Sequence, residues 1–130
     1  MRASNAPFVV ENRHDDTFLI NREVFVSEEL MTREWKRIFN TCWIYVGHAS
    51  EVRNPGDFQT RMVAGYPILF ARDNDGVVRA MINVCPHRGA IVCRERSGNS
   101  RSFHCMYHGW TFNNDGTLRG VPGQDAYGPK

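Results

Sequence analysis

The chain has 130 residues, of which 42% are hydrophobic, so it is long enough for one compact domain with a buried core but too short for two full domains. Sixteen Lys and Arg residues against fourteen Asp and Glu residues give a formal net charge of +2, and this balance indicates neither a nucleic-acid partner nor a membrane surface. The N-terminus has no signal-peptide core and no apolar run approaches membrane-spanning length, so we expect a cytoplasmic protein.

Two N-terminal segments differ in their residue pattern. The opening segment, up to about Asp16, is polar and aperiodic, which predicts extended or loosely ordered chain. Residues 27–40 predict one amphipathic helix, with Ser27 as its N-cap and Asn40 as its C-cap. Four apolar side chains recur at helical spacing and predict a face that packs on the domain rather than a cofactor site: Met31, Trp35, Ile38 and Phe39.

Short β-rich segments follow the stretch CWIYVGHAS. They read DFQTRMV, PILFAR, VVRAMINV, GWTF and TLRGV, and the sequences DNDG and NNDG each separate two of them. An Asp-Gly pair between β-rich segments is a strong hairpin signal. We therefore expect an N-terminal arm over residues 1–50, which holds the helix, and a small antiparallel β domain over residues 51–130.

Two short segments each combine one cysteine with one histidine. VCPHRGA contains Cys85 and His87, and HCMYHGW contains Cys105 and His108, which gives C-x-H, seventeen intervening residues, and C-x-x-H. A zinc site is one interpretation, but the C-x-H spacing is tight for two ligands of one tetrahedral ion. The pattern favours a larger object, such as a Rieske-type [2Fe-2S] cluster, which takes two Cys on one iron and two His on the other.

The segments CPHRGA and CMYHGWTF resemble the cluster-binding loops of the Rieske domain in the large (alpha) subunit of aromatic ring-hydroxylating dioxygenases. The segments WIYVGHASEV and NPGDF also resemble the stretch that precedes those loops. The resemblance implies a mainly β fold, an antiparallel β-sandwich with cluster-binding loops. It also implies that Cys85 and Cys105 hold the inner iron, that His87 and His108 hold the more exposed outer iron, and that His108 faces a neighbouring catalytic domain.

The remaining histidines and cysteines are predicted to lie outside this site. His104 adjoins a candidate ligand, but successive residues of a strand point to opposite faces. His14 and His48 are interpreted as surface or core histidines, and Cys42 and Cys93 as buried free thiols.

Other loop residues separate this chain from the Rieske proteins of respiratory bc1 complexes, whose loops resemble CTHLGC and CPCHGS. Ala90 and Tyr107 stand where that family has a disulfide, and Trp110 stands where it has a serine that donates to the cluster. We therefore expect a reduction potential in the lower part of the Rieske range. Gly89 and Gly109 have either a turn role or a tuning role.

The large subunits of the resembled family continue into a catalytic domain, where two His and a carboxylate hold a mononuclear Fe(II). No histidine follows Trp110, so no catalytic residue is predicted in this chain, which is expected to be a truncated piece, a fragment or a split subunit. The resemblance implies an electron donor, either a ferredoxin or a reductase. It also implies contact with the catalytic domain of the same or a neighbouring large subunit, and possible contact with a small subunit.

Three functions remain open at this point. The first is an electron relay within a ring-hydroxylating dioxygenase of aromatic hydrocarbon catabolism, the second a stand-alone Rieske ferredoxin, and the third a zinc-stapled binding module. The helix-bearing arm favours the first over the second, because diffusible Rieske ferredoxins begin almost directly with the β domain. The stretch from NRHDDTFLINREVF to WIYVGHAS leans toward subunits that act on benzoate-like or polycyclic aromatics.

Overall fold

The computed structural model describes residues 7–127 and separates the chain into two compact units, one ending at Trp43 and the other beginning at Ile44. Within the described residues, no helix combines the length and the apolar character needed to cross a membrane. The two units are described in turn.

A β-hairpin opens the first unit, where the sequence predicts extended or loosely ordered chain. Strand β1 (Val9–Asn12) pairs antiparallel with strand β2 (Thr17–Ile20). In the connecting turn, the Asp15 carboxylate accepts hydrogen bonds from the Asn12 side chain and the Thr17 amide, at 3.0 and 3.1 Å. The hairpin signal is weak in the sequence because Asp16, rather than a glycine, takes the positive φ of 54°.

The helical part of the first unit is more divided than the predicted single helix. Helix α1 (Glu23–Val26) precedes helix α2 (Glu28–Glu34), and a π-helical turn continues over Trp35–Phe39. The Ser27 hydroxyl accepts from the Leu30 amide at 3.3 Å, and Asn40 ends the last turn, so both predicted caps are confirmed. The wider final turn was not predicted.

The second unit contains two antiparallel sheets, which confirms the mainly β prediction. The strands are β3 (Asp57–Val63), β4 (Tyr66–Arg72), β5 (Val78–Ile82), β6 (Ser97–Asn99), β7 (Ser102–His104), β8 (Thr111–Asn113) and β9 (Leu118–Gly120). The four-stranded sheet has the order β5-β4-β3-β6, and the three-stranded sheet has the order β7-β8-β9. Two short 3-10 helices, Ala49–Glu51 and Gln124–Tyr127, lie on either side of these strands in the chain.

Both Asp-Gly sequences form the predicted hairpin turns. In the turn between β4 and β5, the buried Asp73 carboxylate accepts from the amides of Asp75 and Val77 at 3.0 and 2.8 Å. In the turn between β8 and β9, the Asp115 carboxylate accepts from the Thr117 amide at 2.8 Å. These local bonds explain why the two turns are readable from sequence.

Side chains of both sheets form one core in the second unit. Phe58 and Leu69 come from the four-stranded sheet, and Phe103 comes from the three-stranded sheet. The rings of Phe58 and Phe103 meet edge to face, with centroids 5.2 Å apart. Cys85 and Cys105 belong to the same core, so each Cys/His segment begins from a packed position.

Candidate metal centre

The first Cys/His segment forms a tight turn shortly after β5. We call residues 84–92 the first loop. The Cys85 amide donates to the Ala90 carbonyl at 2.7 Å, and the Gly89 amide donates to the Cys85 carbonyl at 2.9 Å. Gly89 takes a φ of 73°, a conformation that residues with a Cβ rarely adopt.

The second Cys/His segment repeats this turn between β7 and β8. We call residues 105–110 the second loop. The Cys105 amide donates to the Trp110 carbonyl at 2.8 Å, and the Gly109 amide donates to the Cys105 carbonyl at 2.9 Å. Gly109 has a φ of 76°, and a Cβ there would lie 2.7 Å from Pro122 Cγ. In both loops the glycine amide therefore serves the turn, which favours the turn role over the tuning role.

The two cysteine side chains are almost completely buried and lie side by side. Cys85 is 1% exposed and Cys105 is 2% exposed, and each thiol lies close enough to affect the ionisation of the other. Four backbone amides also affect the ionisation of the two sulfurs, those of His87 and Arg88 at Cys85 and those of Tyr107 and His108 at Cys105. These amides would stabilise negative charge on the sulfurs.

The two thiols differ in acidity. Burial raises the pKa of the Cys85 thiol above its ordinary value. Burial acts in the same direction on Cys105, but hydrogen bonds from the Tyr107 amide and the Cys85 thiol outweigh it and lower the pKa of Cys105. Because the two thiols are adjacent, their protons are lost as a coupled pair, and thiolates are the form that binds iron.

The two histidine rings meet edge to face, with centroids 4.6 Å apart. The Nδ1 atoms of His87 and His108 are both shielded from solvent, and that of His108 has no hydrogen-bond partner among residues 7–127. Burial, followed by the nearby His87 and the positive charge of Arg88, lowers the pKa of His108. A neutral imidazole with a buried, unpaired nitrogen is suited to bind a metal.

Aromatic side chains of the second loop cover both histidines. Trp110 stacks on His87, with centroids 5.0 Å apart and planes 6° from parallel. Tyr107 lies against His108 with a centroid distance of 3.9 Å, and its side chain is 59% exposed. One face of the His87 ring is therefore covered by an indole, and the His108 ring lies beside a phenol that reaches solvent.

The donor set fits a group with two metal atoms. Within the part of the chain that the structure describes, no three His, Cys, Asp or Glu side chains are grouped to hold a single ion. The arrangement instead pairs two sulfurs and, separately, two imidazoles, as a [2Fe-2S] cluster with two cysteine and two histidine ligands requires. A single tetrahedral zinc ion would need all four donors around one point.

The other histidines and cysteines lie outside this arrangement. His14, His48 and His104 are exposed, and the His104 ring is hydrogen-bonded to a threonine of β8 at 3.1 Å. Cys93 is buried, as predicted, but Cys42 is exposed, so the prediction of a buried thiol is wrong there. Cys42 lies in the turn after the π-helical segment, and the sequence carries no signal of that exposure.

Sequence reasoning missed two side chains that support the loops. The sequence identifies Trp110 only as the replacement of a serine, whereas in the structure it stacks on His87 and so joins residues of different loops. Asn83 is 3% exposed, with its amide group bonded to the backbone of Cys93. The one available signal was a polar residue inside the otherwise apolar stretch AMINV.

Comparison with known proteins gives a consistent result. The sequence profile of the Rieske [2Fe-2S] domain matches residues 42–128. Toluate 1,2-dioxygenase subunit alpha of Pseudomonas putida is 40% identical over 85% of this chain, and anthranilate 1,2-dioxygenase large subunit of Burkholderia cepacia is 43% identical over 84%. The structure of naphthalene 1,2-dioxygenase from Rhodococcus sp. bound to indole superimposes with a TM-score of 0.78, at 40% identity over 84% of this chain.

These similarities concern only part of each relative. The chain spans 24% of the toluate 1,2-dioxygenase subunit, 26% of the anthranilate 1,2-dioxygenase subunit and 25% of the naphthalene 1,2-dioxygenase chain.

Proposed function

Because the chain belongs to the Rieske [2Fe-2S] domain family, we propose that it is the electron-relay part of an aromatic ring-hydroxylating dioxygenase large subunit. The observation that carries this proposal is that two equivalent turns each bury a cysteine and that their two histidine rings are in contact. The match to the dioxygenase subunits covers 110 residues, a longer stretch than residues 42–128, which favours this function over a stand-alone ferredoxin.

We propose that Cys85 and Cys105 bind one iron of the cluster and that His87 and His108 bind the other. When bound, the cluster supplies a one-electron carrier. The protein holds the two thiolates in a packed core and directs backbone amides at them, which offsets part of the negative charge gained on reduction. It presents two imidazoles at the loop ends and fixes the plane of one of them with Trp110.

The exposed edge of the second loop is the proposed contact for the electron acceptor. Met106 is 69% exposed and Tyr107 is 59% exposed, and Tyr107 lies directly against His108. Exposed apolar and aromatic side chains are common at protein interfaces. We therefore assign His108 as the histidine nearest the acceptor, which would be a catalytic domain carrying a mononuclear iron in the same or a neighbouring large subunit.

The rest of the assembly is proposed from the relatives. A ferredoxin or reductase would deliver the electron, and a small subunit would be a further partner. The names of two relatives specify toluate and anthranilate, which are both benzoates, so we propose a benzoate-type substrate for the complete protein. We further propose a helix-bearing arm over residues 1–50, a cluster domain over residues 51–130, and a cytoplasmic location that keeps ligand thiols reduced.

Reconstitution of the 130-residue chain with iron and sulfide tests this function. We expect a red-brown protein with two irons and two sulfides per chain and, after dithionite reduction, a rhombic electron paramagnetic resonance signal. A reductase should reduce it, while the chain alone should form no cis-dihydrodiol from benzoate. A colourless protein with one zinc per chain, or dihydrodiol formation by the chain alone, would contradict the proposal.

A further inference from the structure

The two loops contain the same turn, but their bases are closed in different ways. The base of the second loop is closed by a continuous backbone ladder between β7 and β8, which pairs Ser102 with Asn113, Phe103 with Phe112, and His104 with Thr111. At the base of the first loop, one isolated bridge pairs Val84 with Ile91. The first loop therefore has less backbone pairing to hold it closed.

The side chain of Asn83, directly before that bridge, bonds the backbone of Cys93, two residues beyond the bridge on the other side of the loop. Its Nδ2 donates to the Cys93 carbonyl at 2.7 Å, and its Oδ1 accepts from the Cys93 amide at 2.8 Å. This reciprocal pair of bonds reproduces what two directly opposite residues exchange in an antiparallel ladder. Both residues are buried, so water does not compete for these groups.

Asn83 is itself fixed to the four-stranded sheet. Its backbone amide donates to the Pro67 carbonyl at 2.8 Å, which extends the pairing of β4 with β5 by one step. Cys93, at the other end of the loop, packs in the core that both sheets share. The carboxamide thus joins the start of the first loop, its end and the sheet.

We propose that Asn83 is the positioning residue of the first loop and holds Cys85 and His87 in the geometry that the cluster requires. The proposal rests on the function proposed above, because that function assigns ligand roles to these two residues. Both lie between the two ends that Asn83 joins. Without the carboxamide, the buried N–H and C=O groups of Cys93 would lose their hydrogen-bond partners. Opening of the loop would then be favoured, because it exposes these two groups to water.

Hydrogen exchange by mass spectrometry on the cluster-loaded chain, with fragmentation to single residues, tests this role. In the wild-type chain the Cys93 amide should exchange among the slowest of residues 83–93. In Asn83→Ala, the amides of Cys85 and Gly89 should exchange about thirty-fold faster, as expected for the loss of two buried hydrogen bonds. The equivalent amides of the second loop should keep their wild-type rates.

A spectroscopic readout separates positioning from general destabilisation. Pulsed electron paramagnetic resonance of the reduced chain resolves the nitrogen couplings of the two histidines, and Asn83→Ala should change one coupling and leave the other unaltered. Asn114→Ala is the matched control, because Asn114 is also buried and its Nδ2 bonds Asn74 and the Ser100 carbonyl at 3.2 and 3.3 Å. It should leave both couplings at their wild-type values.

Several outcomes would overturn the positioning role. The first is a Cys93 amide that exchanges, in the wild-type chain, as fast as exposed loop amides. The second is an equal acceleration of amide exchange in both loops of Asn83→Ala. The third is an equal change of the histidine nitrogen couplings in Asn83→Ala and Asn114→Ala. If Asn83→Ala does not fold, Asn83→Asp provides the same comparison, since it keeps the acceptor for the Cys93 amide and replaces the donor. Failure of the relay function would give a different result, because the cluster would then be intact but no reductase would reduce it.

Discussion

Replacing Trp110 by alanine should loosen the hold of the protein on the cluster while leaving all four proposed ligands in place. The indole lies almost parallel to the His87 ring at 5.0 Å and also packs near Phe112, with a centroid distance of 6.5 Å. It is therefore one of two side chains of the second loop that contact His87, together with His108. In Trp110→Ala, the His87 ring would gain rotational freedom.

The expected size of the effect follows from this stacking. An aromatic pair contributes about 0.5–1.5 kcal/mol beyond the area that it buries. If that contribution is lost from the cluster-bound state, cluster release should accelerate about two- to twelvefold, since 1.4 kcal/mol corresponds to a factor of ten. Trp110→Phe keeps a smaller ring against His87 and should fall between the wild-type chain and Trp110→Ala.

The assay is the decay of visible cluster absorbance after addition of an excess of iron chelator to the oxidised chain. Trp43→Ala is the control, because the Trp43 side chain is fully exposed. Release from Trp110→Ala at the wild-type rate would show that the stack does not restrain His87. The same acceleration in Trp43→Ala would point to a general effect of losing a tryptophan.

Three further results are expected. Cys85→Ser should abolish the cluster absorbance. Cys93→Ser changes another cysteine of the same core and should retain the absorbance, so its loss in both variants would refute the proposed ligand set. Phe103→Ala should lower the free energy of unfolding, measured in urea, by about 3–5 kcal/mol, because it removes one ring of the buried edge-to-face pair; a change below about 1 kcal/mol on the same scale would contradict the described core. Burial raises the pKa of Asp73, but hydrogen bonds, first that from Arg79, outweigh it and hold the pKa below its ordinary value of 3.8. The ionised carboxylate therefore stabilises the fold above pH 3.8, and this stability is lost as the pH falls through the lower pKa of the folded state. Asp73→Asn should make the urea midpoint depend less on pH in the acid range. An unchanged dependence would argue against this linkage.

The elements that could be predicted from sequence are those whose cause is local. Each Asp-Gly turn carries its own hydrogen bonds, so the two hairpins of the second unit could be placed within a few residues. The helix ends were predictable for the same reason, since Ser27 caps the amide of a residue three positions later. The candidate ligands could be proposed because the two Cys/His segments have distinctive spacings, and the structure pairs the two cysteines and, separately, the two histidines.

What could not be predicted depends on residues that are far apart in sequence. Strand β6 is a three-residue run of small polar residues, and it is defined by pairing with β3. Gly98 in that strand leaves room for the ring of Phe58, which a Cβ would approach to 3.0 Å. The bonds of Asn83 to Cys93 span ten positions, and no periodic pattern marks them.

Within the two equivalent turns, the histidine stands one residue later after its cysteine in the second loop than in the first. His87 is the second residue after its cysteine and His108 is the third, so Tyr107 takes the position of the first histidine and Arg88 takes that of the second. A molecule that approaches the centre from the first loop meets an exposed guanidinium, and one that approaches from the second meets an exposed phenol. A repeated backbone motif thereby presents a positive charge at one loop and an exposed aromatic ring at the equivalent position of the other.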